Sequence, residues 1–158
     1  MKKTTDISWS PALRPKMEAL GKWLKGKGAV LVAYSGGVDS TFLAAVAQEV
    51  LGDRVLAVTA ASPTYPEREL QEAVELARRI GIRHKIVQST EMENPAYREN
   101  SPDRCYHCKS ELFGLLTRMA AEEKSACVID GSNADDVNDY RPGRKALKEL
   151  GVASPLMD

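Results

Sequence analysis

The apolar run Ala29-Val30-Leu31-Val32-Ala33-Tyr34 breaks abruptly into Ser35-Gly36-Gly37-Val38-Asp39-Ser40, and no other stretch limits the possible folds as tightly. A run without polar interruption reads as a central strand of a parallel sheet, covered on both faces. After the small-residue turn, Phe42, Leu43, Val46 and Val50 keep a helical spacing that stops at Gly52. A strand, a tight turn and a helix start can aim several backbone N–H groups at one anion. Gly36 and Gly37 permit backbone angles and close approaches that a side chain obstructs. The turn has neither the Gly-x-x-x-x-Gly-Lys-Ser/Thr spacing of a Walker loop nor the Gly-x-Gly-x-x-Gly of a dinucleotide fold.

Helix and strand patterns alternate along the rest of the chain. Leu13, Met17, Leu20 and Leu24 predict a helix over 12–25, with Pro11 and Pro15 near its start. Strands are expected at 54–60, 83–88 and 126–130. A helix opening at Pro66 and stopping at Gly81 buries Leu70, Val74, Ala77 and Ile80; another, from about 104 to 122, buries Leu112, Leu115, Leu116 and Met119. A short basic helix follows over 143–150, and Val152 is expected to begin a fifth strand. The segment 83–88 is the most polar strand, which puts it near an edge with His84 exposed. The fold class is therefore α/β: three layers, a mostly parallel sheet with helices on both faces. Residues 1–13 read as an N-terminal extension and 14–158 as one domain. The ending at Ser154-Pro155-Leu156-Met157-Asp158 has no helix stop and no evident tail, which reads as a cut inside something longer.

With 22 basic and 22 acidic residues and 43% apolar content, the chain has the composition of a soluble domain with a sizeable core. No apolar run approaches the roughly 20 residues that span a bilayer, and no signal peptide is evident, so the expected compartment is the cytoplasm. Residues 1–28 carry Lys2, Lys3, Arg14, Lys16, Lys22, Lys25 and Lys27 against Asp6 and Glu18. That surplus reads as a solvated helix face before it reads as a polyanion contact.

Parallel sheets gather their binding loops at the carboxyl ends of the strands, here 35–40, 61–65 and 131–142. Backbone donors at Gly36, Gly37, Val38, Asp39 and Ser40, with the hydroxyls of Ser35 and Ser40, suit a phosphate. Asp39 adds a negative charge, which fits a Mg²⁺ shared between carboxylate and phosphate; the plainer alternative is a helix N-cap. Ala60, Ala61 and Ser62 leave the end of the second strand uncrowded. Asp130, Asp135, Asp136 and Asp139 crowd one loop, Gly131 allows close passage beside a ligand, and Arg141 and Arg144 offer planar forks to an anion. Cys105 and Cys108, at the start of a helix, suit a shared metal or cluster, catalytic thiol chemistry, or no special role. Cys127 reads as a buried small hydrophobe.

Residues 35–40, 100–109 and 130–143 together resemble the PP-loop ATP pyrophosphatases. Within them they resemble the larE-type sulfur transferases that build the nickel-pincer nucleotide cofactor of lactate racemase. The loop itself is shared with NAD, GMP and asparagine synthetases and with tRNA thiolases. The narrower match is Gly131-Ser132-Asn133-Ala134-Asp135-Asp136 leading into Asn138-Asp139-Tyr140-Arg141-Pro142-Gly143, together with Arg104-Cys105-Tyr106-His107-Cys108-Lys109. The resemblance covers residues 14–158 as the nucleotide-binding half and implies a Rossmann-like, adenine nucleotide alpha hydrolase-like fold. It implies ATP on Ser35–Ser40 with Mg²⁺ on Asp39, the adenosine side at Ala60, Ala61 and Ser62, and further nucleotide contacts from Gly131, Asp135 and Arg141. It also implies adenylylation of a carboxylate of a pyridinium dicarboxylate mononucleotide, with pyrophosphate released, then sulfur transfer to give a thiocarboxylate. Cys105 and Cys108 would hold a 4Fe–4S cluster whose third cysteine lies beyond Asp158, in a substrate-binding half that forms homo-oligomers. The rival expectations are a tRNA sulfur transferase, which would bring in a nucleic-acid partner, and an ammonia-using synthetase.

Overall fold

The computed structural model of the chain describes residues 10–63, 65–89, 104–123, 127–134 and 143–157. Helix α1 (Arg14–Lys27) leads into β1 (Val30–Ala33), α2 (Val38–Leu51), β2 (Val55–Ala61), α3 (Glu67–Ile80) and β3 (Arg83–Gln88). Helix α4 (Arg104–Glu122), β4 (Cys127–Ile129) and α5 (Gly143–Glu149) follow. The sheet order is β3-β2-β1-β4 and every pairing is parallel, with Val30 opposite both Val55 and Cys127. Parallel neighbours require crossovers, and here helices supply them.

The unbroken apolar run has a direct explanation: β1 lies between β2 and β4 and serves two cores. Val30, Val32 and Tyr34 pack on the face covered by Leu24 of α1, Leu43 and Ala47 of α2, and Ala77 of α3. Leu31 packs on the opposite face with Leu56, Val58, Phe113 and Leu116 of α4, and Leu147 of α5. Alternate residues of a strand point to opposite faces, so both sets must be apolar. Each fully buried Val, Leu or Phe contributes about 1.5–3 kcal/mol.

Four expectations are corrected. Leu13 precedes α1 and stays 45% exposed, because the helix begins at Arg14 with Pro15 in its first turn. On α3 the buried positions are Ala73 and Ala77, whereas Val74 is 40% exposed. The helix approaches the β1 end so closely that only a methyl group fits there: the Tyr34 hydroxyl donates to Ala73 O at 2.9 Å. β3 is the edge strand its polarity suggests, but His84 is half-buried, because its register beside Ala57 carries it onto the α3 side against the Tyr34 ring. Val152 begins no strand; single parallel bridges join Ala153 to Ile129 and Leu156 to Asn133, so this segment runs beside the end of β4. Among the described residues, no helix is long and apolar enough to cross a membrane.

Candidate functional site

The turn after β1 is tied internally by its two serines. Ser35 N–H donates to Ser40 Oγ at 3.2 Å, the two hydroxyls lie 3.1 Å apart, and Gly37 N–H donates to Ser35 Oγ at 3.2 Å. Gly37 is the N-cap of α2 and has no side-chain cap, so Asp39 belongs to the first helical turn and is not the cap. A helix start leaves its first N–H groups, here those of Val38, Asp39 and Ser40, without intrahelical acceptors, and its dipole favours an anion.

The carbonyls entering the turn are held from outside it. Tyr34 O accepts the Thr59 hydroxyl at 2.8 Å, and Ser35 O accepts the Tyr65 hydroxyl at 3.1 Å. Gly36 has φ +82°, and a Cβ built there would lie 2.8 Å from the Ala73 Cβ. Only glycine meets both demands cheaply. The main chain of the turn is thus fixed by β2, the β2–α3 connection and α3, leaving donors in surplus over acceptors.

A cleft of about 510 Å³ lies over the carboxyl ends of β1, β2 and β4. One wall is the turn, contributing Ser35, Gly37, Val38, Asp39 and Ser40. The facing wall is apolar, built from Ala33, Val58, Ala60, Leu112 and Phe113, with Lys109 at its edge. Of the residues expected on the adenosine side, Ala60 lines the cleft. Ala61 and Ser62 do not: Ala61 points to the other face of β2, and its carbonyl accepts Ser89 N–H at 2.8 Å.

The segment after β4 closes on the turn. A Cβ on Gly131 would lie 2.8 Å from Ser40 N and 3.1 Å from Asp39 C, so the close passage of Gly131 is made against the α2 backbone. Asn133 Nδ2 donates to Asp39 Oδ2 at 2.9 Å, bridging 94 positions of sequence. Asp130 is 5% exposed, and its two oxygens accept the hydroxyls of Ser132 at 2.7 Å and Ser154 at 2.5 Å. Asp135 and Arg141, with Asp136 and Asp139, lie outside the described residues.

Comparison with known proteins agrees with this geometry. The family described as NAD synthase matches residues 17–122. The chain belongs to the NAD synthase family. It is 48% identical over 146 residues to an uncharacterized protein of Synechocystis sp., covering 92% of this chain and 54% of that one. It is 37% identical over 147 residues to the pyridinium-3,5-bisthiocarboxylic acid mononucleotide synthase of Lactiplantibacillus plantarum, covering 92% and 53%. The chain therefore spans about half the length of the curated relatives it matches. Among solved structures, it superposes on an NH3-dependent NAD synthetase from Campylobacter jejuni with a TM-score of 0.71 at 17% identity, covering 92% and 67% of the two chains. A U34-tRNA thiolase from Methanococcus maripaludis, solved with its 4Fe–4S cluster, gives 0.62 at 20% identity, covering 90% and 60%. The fold is thus the Rossmann-like one of the PP-loop ATP pyrophosphatases, as the motif at 35–40 implied.

On this family fold the cysteine positions divide. Positions 105 and 108 lie in the first two turns of α4, the helix that carries Lys109 and Leu112 to the cleft. Cys127 opens β4 at the other edge of the sheet, its N–H bonded to Ala29 O at 3.0 Å. It is half-buried against the core, and burial raises its thiol above the usual pKa of 9.0. Among the described residues, no three His, Cys, Asp or Glu side chains converge as a metal site.

Thr59, Tyr65, Asn133 and Lys109 join the site without having been singled out for it. Thr59 left a signal as a polar position inside an apolar strand, and Asn133 and Lys109 stand inside the two quoted motifs without a role of their own. Its partner His84 places Nε2 2.7 Å from the Thr59 hydroxyl. Because that hydroxyl's hydrogen goes to Tyr34 O, Nε2 is the donor. Burial holds the His84 pKa below the usual 6.5 and raises those of Tyr34 and Tyr65, the latter aided by the nearby Glu69 carboxylate.

Proposed function

We propose that this chain is the ATP-binding unit of an enzyme that adenylylates a carboxylate of a pyridinium mononucleotide and passes it to sulfur. One observation carries the reading: a donor-rich turn at a helix start faces an apolar wall across a single cleft. The terminal phosphates meet the N–H groups of 36–40 and the Ser35 and Ser40 hydroxyls, while the adenine lies against Ala60 and Leu112. The substrate class follows the name of the Lactiplantibacillus plantarum relative. Gly131, Asp135 and Arg141 belong to the same proposal as nucleotide-binding residues.

The acceptor carboxylate attacks the α-phosphorus, the bond to the bridging oxygen breaks, and pyrophosphate leaves as the acyl adenylate forms. Sulfur at the sulfide level then attacks the acyl carbon, its proton passes to solvent, and AMP leaves as the thiocarboxylate forms. Donors fixed before the reaction stabilise the charge growing on the leaving pyrophosphate without reorganising. Asp39 fits a Mg²⁺: it is an exposed carboxylate beside the phosphate turn, oriented by Asn133, and this ion takes one or two carboxylates plus phosphate oxygens. When bound, the ion supplies positive charge to the pyrophosphate.

A three-cysteine cluster does not fit this chain alone. Helix α4, with 19 residues, spans about 28 Å at 1.5 Å each and separates Cys105 and Cys108 from Cys127. Sulfur delivery at Cys105 and Cys108 therefore needs a ligand or donor from outside residues 1–158. In the whole protein this reading pairs the chain with a substrate-binding portion and a homo-oligomer.

The test is pyrophosphate release from MgATP by the protein supplied with a pyridinium dicarboxylate mononucleotide and no RNA. Release that requires this acceptor is the expected result. Release that requires tRNA, or ammonia with no role for the cysteines, overturns the assignment.

A further inference from the structure

Lys109 stands on the apolar wall opposite the phosphate turn, and none of the chemistry above uses it. Among the described residues that line the cleft it is the single formal cation, alongside the carboxylates of Asp39 and Asp130. Its ammonium lies 5.4 Å from the centre of the Phe113 ring. Among the described residues it makes no ion pair. Phe113 is 1% exposed, so the ring is a fixed platform, whereas the lysine stem is flexible.

The layout of the cleft says what the cation faces. A nucleotide whose terminal phosphates meet the turn and whose base lies on Ala60 and Leu112 must carry its first phosphate across the gap between the walls. The turn's donors serve the outer phosphates. The oxygens of the first phosphate are then the anionic group nearest the edge of the apolar wall, one helical turn from Phe113.

We propose that Lys109 binds the α-phosphate of ATP, the phosphorus at which the acceptor attacks. The inference rests on the ATP-binding reading above and adds a residue to it. In adenylylation, an anionic carboxylate approaches an anionic phosphoryl group, and a compact ammonium with three donors offsets that repulsion. Swinging from the ring to the phosphate exchanges a weak cation–π contact for a charge-assisted hydrogen bond.

Binding measurements separate the parts of the nucleotide. MgATP and magnesium pyrophosphate are titrated into the wild-type chain, Lys109→Gln and Lys109→Arg. Loss of a charged hydrogen bond weakens binding about tenfold to a hundredfold. Lys109→Gln is therefore expected to lose that much affinity for ATP while holding pyrophosphate as the wild type does, with Lys109→Arg losing less. Unchanged ATP affinity in Lys109→Gln overturns the inference. So does an equal loss for ATP and pyrophosphate, which marks damage to the turn, or a Lys109→Arg protein as weak as Lys109→Gln. Failure of the wild type to bind either ligand refutes the ATP-binding reading itself, a different outcome from failure of the lysine assignment.

Discussion

On the turn side of the cleft the contacts come from main chain, two serine hydroxyls and one exposed carboxylate; on the α4 side they come from apolar side chains and one lysine. The turn side is knitted to the rest of the molecule. Tyr34 O is held by Thr59, Ser35 O by Tyr65, Gly36 rests on Ala73, and Gly131 rests on Ser40. On the α4 side, Lys109 and Leu112 are partly exposed side chains of one helix, and each can change without moving a turn, whereas Phe113 behind them belongs to the core. The difference teaches that the turn wall is a property of the fold, whereas Lys109 and Leu112 on the facing wall are separable side chains. Damage to the first should cost stability and binding together; damage to the second should cost one part of the ligand.

Gly36→Ala attacks the knit side hardest. A methyl at φ +82°, built 2.8 Å from Ala73 Cβ, combines left-handed strain of about 1–2 kcal/mol with overpacking of about 1–3 kcal/mol. Urea unfolding should show a loss of about 2–5 kcal/mol. A loss below about 1 kcal/mol breaks the claim that the turn is fixed by α3.

Gly131→Ala and Thr59→Val come next. The first puts a methyl 2.8 Å from the Ser40 backbone nitrogen, which cannot yield as a side-chain end can, at a cost of about 1–3 kcal/mol. The second leaves Tyr34 O and His84 Nε2 without their shared partner, costing about 1–3 kcal/mol. Thr59→Ser keeps the hydroxyl and should be the more stable of the two variants; a Thr59→Ser protein as unstable as Thr59→Val would contradict the hydrogen-bond explanation.

Asp39→Ala sharpens the contrast, because Asp39 is exposed and donates nothing to the core. Its unfolding free energy should stay within about 0.5 kcal/mol of wild type, while the magnesium dependence of ATP binding falls. Equal losses of stability and binding would return Asp39 to a structural role.

The smallest effect concerns pH. His84 is held below its ordinary pKa of 6.5 by burial, so the unfolded chain takes up a proton first as pH falls. Stability from this group is complete above about pH 6.5 and declines below it, until the folded value is passed. His84→Gln keeps an N–H donor and should flatten the decline when urea midpoints are compared between pH 5 and 8. An unflattened profile assigns the decline to other groups.

Much of this was legible in the sequence because it is local. The β1 run announces a strand with two buried faces, and Ser35–Ser40 announces a donor-rich turn from composition alone. Ala73 was not legible: hydrophobic spacing favours Val74, and only the close approach of Gly36 shows that a methyl is the largest group that fits. Asn133 and Asp39 meet across 94 positions, and Thr59 serves Tyr34 across 25, distances over which no local pattern speaks. Lys109 was readable as a charge beside two cysteines, but its place on the cleft wall depends on which face α4 turns inward.

The most direct measurement follows the backbone amides of the chain by NMR while MgATP is added. The account predicts that Gly36, Gly37 and Ser40 shift together and saturate with the nucleotide, and that pyrophosphate alone reproduces those shifts. Saturable ATP binding that moves other amides and leaves these three in place would contradict it.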